Sequence, residues 1–345
     1  MCTLIVLHRC VPGKPLVVAA NRDEFFARPA ERPAIRASRT GRIVAPRDLE
    51  AGGTWVGLSD RGVFAGLTNL RPIAHGFGDQ PSVARPVGRP VGRPVGRPDG
   101  KLGGNSGARA ETPARSRGEV VMAALEARTA VEAADSMSQL EDGLYNPFQL
   151  LVADTRSAYL LVYQDAPKMF PLEPGLHVVG NIIGAIGAIG GGVEGERADG
   201  ALAAPLAASC AIEQDAKPFP GFEGIEGLID TEEPRVQKLA RIQSRVEKLL
   251  TEPGRDLFEG LARICREHVE PEGPDALGGE PRRTSPFEST CVHVADRYGT
   301  RSSLLLELAE DIPTSRLWTT DGPPCRRPFE NRSSLLRELG VTLYS

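Results

Sequence analysis

With 345 residues, 25% of them charged, the chain is long enough for one large domain or two and can bury a substantial core. A formal net charge of -4 and a sequence pI near 5.9 give no global field for nucleic acid, which points to a small-molecule or acyl-type ligand. Six cysteines, at 2, 10, 210, 265, 291 and 325, have no paired spacing, no C-x-x-C and no signal peptide before them, and read as reduced thiols in a cytoplasm.

In chain order the first informative residue is Cys2, directly behind Met1. Removal of Met1 would leave a thiol and a free α-amine on one residue. With ordinary pKa values of about 8.5 and about 7.7 to 8.0, the two can exchange a proton directly or through one water. The alternative is a small buried hydrophobe opening a strand, since Thr3-Leu4-Ile5-Val6 is β-branched and apolar. Val17-Val18-Ala19-Ala20 predicts a second buried strand, ending in the polar cluster Asn21-Arg22-Asp23-Glu24. A turn at Val11-Pro12-Gly13 makes the two strands a hairpin, and antiparallel pairing then brings Arg22 and Asp23 near Cys2. Arg22 would stabilise a thiolate, and Asp23 would hold the α-ammonium or the thiol proton.

Residues 42–46, 54–58 and 62–67 read as strands joined by turns at Gly52 and Gly62, with Trp55 as core or pocket wall. Val-Gly-Arg-Pro then recurs three times in tandem over 87–98, and proline at every fourth position forbids helix and central strand, so about 84–112 reads as a disordered insertion. A single helix is predicted over 116–136, capped by Ser116, followed by a strand pair at 150–153 and 159–163. The stretch 174–193 carries no charge, but its glycines, His177 and Asn181 favour a strand ending near Asn181 and a Gly-rich loop over a membrane-spanning helix. Helices follow at 235–250 and 256–269, strands at 291–295 and 302–308, and a final helix at 333–339. Cys291 and His293 would share one side of a strand, yet no second pair with zinc-like spacing accompanies them, so neither a metal nor a cofactor is assigned. Cys325 is followed by arginine and lacks the Cys-Pro dipeptide associated with regulatory haem ligation.

Met1-Cys2-Thr3, the Asn21-Arg22-Asp23-Glu24 tetrad, Gly53-Thr54-Trp55-Val56-Gly57, Leu67-Thr68-Asn69-Leu70-Arg71, Ser116-Arg117-Gly118, Tyr145-Asn146-Pro147-Phe148, His177 with Asn181, and Tyr298-Gly299-Thr300-Arg301-Ser302-Ser303 run in order to about residue 320. Together they resemble the NRDE family, whose eukaryotic relatives are the transport and Golgi organisation proteins. The beginning of that family is similar to the Cys-type N-terminal-nucleophile (Ntn) acylases. The resemblance implies an α+β fold, a four-layer αββα sandwich of Ntn-hydrolase type, as one domain over 1–345. It also implies Cys2 as nucleophile, Arg22 and Asp23 as the groups holding thiol and amine, and Asn69 and Asn181 as oxyanion donors. By themselves both asparagines also read as turn residues that tolerate φ > 0. The acylases' further arginine late in the chain has no clean counterpart, because Arg301 belongs to a different motif. The expected activity is cleavage of a linear amide in a small acylated molecule. The rival expectation is a non-catalytic carrier of haem or an acyl lipid in the same pocket. Oligomeric state is not legible.

Overall fold

A computed structural model describes residues 2–70, 114–183, 185–187, 233–269 and 284–340. The expected insertion at about 84–112, Cys210 and most of the Gly-rich run lie outside the described residues.

Strands β1 (Cys2–Val11) and β2 (Lys14–Phe25) form the expected hairpin, turning on Gly13 at φ +70°. The polar tetrad lies inside β2 rather than beyond its end, so its side chains are sorted by the strand's own alternation. Strands β3 (Ala30–Ala37), β4 (Arg42–Asp48), β5 (Val56–Ser59) and β6 (Phe64–Asn69) follow. After α1 (Arg117–Leu125) and α2 (Ala130–Ser138) come β7 (Phe148–Ala153), β8 (Ala158–Tyr163), β9 (Pro167–Pro171), β10 (Gly175–Val179) and β11 (Ala185–Gly187). The chain continues through α3 (Pro234–Thr251), α4 (Leu257–Arg266), β12 (His293–Val294), β13 (Tyr298–Leu308), β14 (Arg316–Thr319), β15 (Glu330–Asn331) and α5 (Ser333–Leu339).

The single helix expected over 116–136 is two helices. Thr129 stands between them in an extended conformation and its side chain accepts from Glu132 N, a cap that starts α2 afresh. The strand expected over 291–295 is reduced to the two residues of β12.

The described strands form two antiparallel sheets, ordered β11-β10-β1-β2-β13-β14-β15 with β12 beside β13, and β3-β4-β5-β6-β7-β8-β9. Alternation explains why their sequences are nearly unbroken apolar runs. In β1, Leu4 and Val6 join Val44, Val56, Leu58, Phe64 and Leu151 of the second sheet in one apolar cluster. Ile5 and Leu7 face the other way, onto Leu239, Ile242, Phe258 and Leu261 of α3 and α4. The second sheet repeats the pattern: Leu150 and Val152 of β7 turn from Leu151 toward Val120, Val121 and Ala124 of α1 and Ala133 and Met137 of α2. Each sheet is therefore buried on both faces. In β1 and β2 every residue's parity decides whether it meets the opposite sheet or the α3/α4 pair.

Two glycines from separate motifs meet here. A Cβ on Gly53 would lie 2.8 Å from the backbone of Gly118, so α1 starts in direct backbone contact with the loop carrying Trp55. Gly53→Ala is expected to push these segments apart and cost about 1–3 kcal/mol, measured as a lower urea midpoint at unchanged m-value; an unchanged midpoint would mean the contact is not needed.

Candidate active site

Cys2 begins β1 and pairs in register with Arg22 of β2. On its other side β1 pairs with β10, Leu4 opposite Val179, the last residue of β10 and two residues before Asn181. Parity places Cys2 with Leu4 and Val6, and Arg22 with Val18 and Ala20, on the face toward the second sheet. Cys2 and Arg22 accordingly line one cleft, with Trp55, Ser302, Arg301 and Asp321 among its other walls, holding about 680 Å³ of free space counted out to open solvent.

Arg22 is held by groups that sequence spacing does not reveal. Its Nη2 lies 3.2 Å from Asp48 Oδ2, and its guanidinium carbon sits 3.9 Å from the centre of the Trp55 ring. Asp48 is a hub: Arg28 Nε donates to Oδ2 at 2.6 Å, and the backbone N–H groups of Glu50 and Ala51 donate to Oδ1 at 3.0 Å. Burial alone would raise the Asp48 carboxyl, but the Arg28 and Ala51 hydrogen bonds and the two guanidinium charges outweigh it and leave its pKa lowered.

Asp23, one residue on, belongs to the opposite face. Its Oδ1 accepts from Thr300 Oγ1 at 2.6 Å, its Oδ2 is 3.4 Å from Lys238 Nζ on α3, and Tyr298 donates to its carbonyl at 3.1 Å. Its electrostatic influence still reaches the Cys2 thiol. Asn21 fixes this part of β2 in place: its amide donates to the carbonyls of Cys265 and Thr290 and its Oδ1 accepts from Ser303.

Asn69 ends β6, and its carbonyl accepts from Asn181 Nδ2 at 2.5 Å, so these two predicted residues are neighbours. A buried polar seam supports them. Thr68 Oγ1 and Gln149 Nε2 both donate to Gly180 O, and Gln149 also donates to Ile182 O. Asn181 spends one N–H on Asn69 and keeps a second, since a carboxamide carries two.

Arg301 is the cleft residue that sequence reasoning set aside. The β13–β2 register shifts between Thr300 and Ser302, and this bulge aims Arg301 into the cleft, where its Nη1 donates to Phe26 O. Among the described residues Arg301 forms no carboxylate ion pair, in contrast to Arg22 and Arg32, which pair with Asp48 and Asp321.

The Cys2 thiol is raised above its ordinary pKa, first by burial and also by Asp23, against the lowering influence of the amino-terminal charge and Arg22. At neutral pH the sulfur rests as a thiol, so attack on a carbonyl requires a base at the moment of reaction.

Cys291 and His293, which the sequence places on one side of a strand, are joined in the fold by His268 and Cys325. The ligand atoms of His268, Cys291, His293 and Cys325 all lie within 4.8 Å of one another. Cys291 and His293 were legible as a local pair, whereas His268 and Cys325 come from separate segments that no local spacing links to it.

Fold and site together define an α+β protein with a strand-opening cysteine at the head of a cleft between two sheets. Residues 1–91 match the family model described as Transport and Golgi organisation 2, which bears out the resemblance carried by the Asn21–Glu24 tetrad. The chain is 30% identical over 182 residues to the mouse (Mus musculus) Transport and Golgi organization 2 homolog, covering 49% of this chain and 51% of that protein. It is 33% identical over 148 residues to the bovine (Bos taurus) homolog, covering 40% and 38%. The chain thus spans about half the length, or less, of these curated relatives. Among solved structures it is similar to a C2A mutant of conjugated bile acid hydrolase from Clostridium perfringens, at TM-score 0.44 and 9% identity over 99% of this chain and 95% of that one. It is also similar to a Caenorhabditis elegans ortholog of N-acylethanolamine-hydrolyzing acid amidase, at TM-score 0.33 and 14% identity over 53% and 71%.

Asp48→Ala removes the carboxylate from a buried pair whose side chains are 5% and 11% exposed, leaving Arg22 without its anionic partner. The expected cost is about 3 kcal/mol of unfolding free energy, read from chemical denaturation; a change within 0.5 kcal/mol, the ordinary range for a surface substitution of about that size, would mean Asp48 does not hold Arg22.

Proposed function

We propose that this chain is an Ntn-type cysteine amidohydrolase, a single four-layer αββα domain that cleaves a linear amide of a small acylated molecule. The observation that carries this reading is the register pairing of Cys2 with Arg22 at the mouth of a cleft. The three apolar clusters, helix to sheet, sheet to sheet and sheet to helix, support the layering.

With Met1 removed, Sγ of Cys2 attacks the amide carbonyl carbon while its proton passes to the Cys2 α-amine. Arg22 lies on the sulfur's own face and stabilises the developing thiolate. Asp23 lies on the other face, which suits it to hold the α-ammonium rather than the thiol. The remaining Asn181 N–H receives the oxyanion, one such donor being worth about 2.7–4 kcal/mol, while Asn69, whose cross-strand partner Phe148 packs on the α1/α2 side, orients Asn181 through its carbonyl. The C–N bond then breaks, the α-ammonium returns its proton to the leaving amine, and a thioester remains on Cys2. Water activated by the freed α-amine attacks the thioester, releasing the acid and restoring the thiol. Arg301 faces the same cleft and favours a substrate with an anionic or strongly polar end.

A second reading has its own support, in that the curated relatives are named for transport and Golgi organisation. In it the cleft carries haem or an acyl lipid without cleaving it.

A panel of N-acyl amides separates the two. Hydrolysis is expected from wild-type protein lacking Met1, with Cys2→Ser inactive, kcat of Asn181→Ala down about 10²–10³-fold, and KM of Arg301→Gln raised toward anionic substrates. Turnover unaffected by Cys2→Ser, or Met1 retained in every preparation, would end the nucleophile reading. A saturable haem titration with no turnover of any amide would favour the carrier.

A further inference from the structure

We propose that His268, Cys291, His293 and Cys325 form a tetrahedral Cys₂His₂ site for zinc, a structural clamp behind the Asp23 face of the hairpin. The first support is geometric. Zinc bound at about 2.3 Å from sulfur and about 2.0–2.1 Å from nitrogen places tetrahedral S···N neighbours about 3.6 Å apart. Cys291 Sγ and His293 Nε2 are 3.6 Å apart, and His293 Nε2 and Cys325 Sγ 3.2 Å, with all four donor atoms inside 4.8 Å. The His268 and His293 rings stand with centroids 5.2 Å apart, a separation at which both imidazoles can reach one ion.

The second support is chemical. Two thiols and two imidazoles suit zinc, whereas calcium and magnesium take oxygen donors. Four protein ligands fill the tetrahedron and leave no open position for a substrate, which marks a structural rather than a catalytic site. Cys291 is buried and His268 exposed, so the cluster has an anchored inner end and an outer end through which an ion can enter.

The third support is where the ligands come from. His268 follows the end of α4, Cys291 and His293 flank Val292, and Cys325 sits in the loop before β15. These segments are already drawn together: Cys291 N donates to Glu267 O at 3.0 Å, and Arg266 Nε to Pro324 O at 3.2 Å. Val292 N donates to Thr300 Oγ1, Thr300 N donates to Val292 O, and the same Thr300 hydroxyl donates to Asp23. An ion at the cluster therefore fixes the segment that fixes the carboxylate behind Cys2. The site stands whether or not Cys2 is a nucleophile.

The test uses the full reduced chain reconstituted with Zn²⁺ or Co²⁺ alone. The expected result is one equivalent of zinc by elemental analysis. Co²⁺ should give thiolate-to-cobalt charge-transfer absorption with intense tetrahedral ligand-field bands. The Cys291→Ser, Cys325→Ser double variant should lose both signals, while Cys10→Ser keeps them. If the double variant fails to fold, Cys325→His provides the second arm, retaining tetrahedral cobalt bands with weaker charge transfer. Chelation should lower the Tm of the wild type, and zinc should restore it. Absence of stoichiometric metal from the reduced wild type, octahedral cobalt bands, equal binding by the double variant, or a Cys291–Cys325 disulfide found in its place would each overturn the proposal.

Discussion

Adjacent residues of an extended strand point to opposite faces, and in β2 that alternation separates Arg22 from Asp23. Because the first sheet is packed on both sides, the two faces are different environments: a cleft against the second sheet, and the buried surface under α3 and α4. A slip of one residue in the β1–β2 register would put Cys2 and Arg22 on opposite faces and send the apolar residues of one of the two strands to the wrong cluster. The core thus enforces the pairing of Cys2 with Arg22.

The polar residues of the tetrad are supported by this burial, not merely tolerated within it. Asn21 satisfies two carbonyls and a hydroxyl, Arg22 has a carboxylate and an indole face, and Asp23 has a hydroxyl and an ammonium. Each group leaves water for a defined set of partners, which is what allows such side chains inside a sheet. These partners lie in β4, the Trp55 loop, α3, α4 and β13, so the tetrad draws both sheets and the α3/α4 pair onto the end of β1.

What the sequence disclosed follows the range of the interactions concerned. The hairpin was legible because a Pro-Gly turn and two apolar runs fix its register locally, and that register alone predicts Arg22 opposite Cys2. Helices α3, α4 and α5 fall within a few residues of the ranges the sequence suggested, and α4 is started by Asp256, whose side chain accepts from Glu259 N. The break between α1 and α2 was missed because an Ala- and Glu-rich run has high helix propensity throughout, while one capping threonine decides where the helix restarts. Asp48, Lys238 and Arg301 were missed as site residues for a different reason. Asp48 and Lys238 owe their roles to contacts 26 and 215 residues away, and Arg301 owes its aim to a bulge. The His268–Cys325 cluster spans 57 positions (325 minus 268) without a repeated spacing, so only the folded chain assembles it.

The central claim is that the Cys2 sulfur forms an acyl bond in the cleft it shares with Arg22. The most direct measurement is to mix protein lacking Met1 with an N-acyl amide, quench in acid within the first turnovers, and map the modified peptide by mass spectrometry. The account predicts a thioester on the peptide beginning at Cys2 that decays when the quench is delayed. An acyl group carried only by another cysteine, or none on any peptide while amide is being consumed, would contradict it.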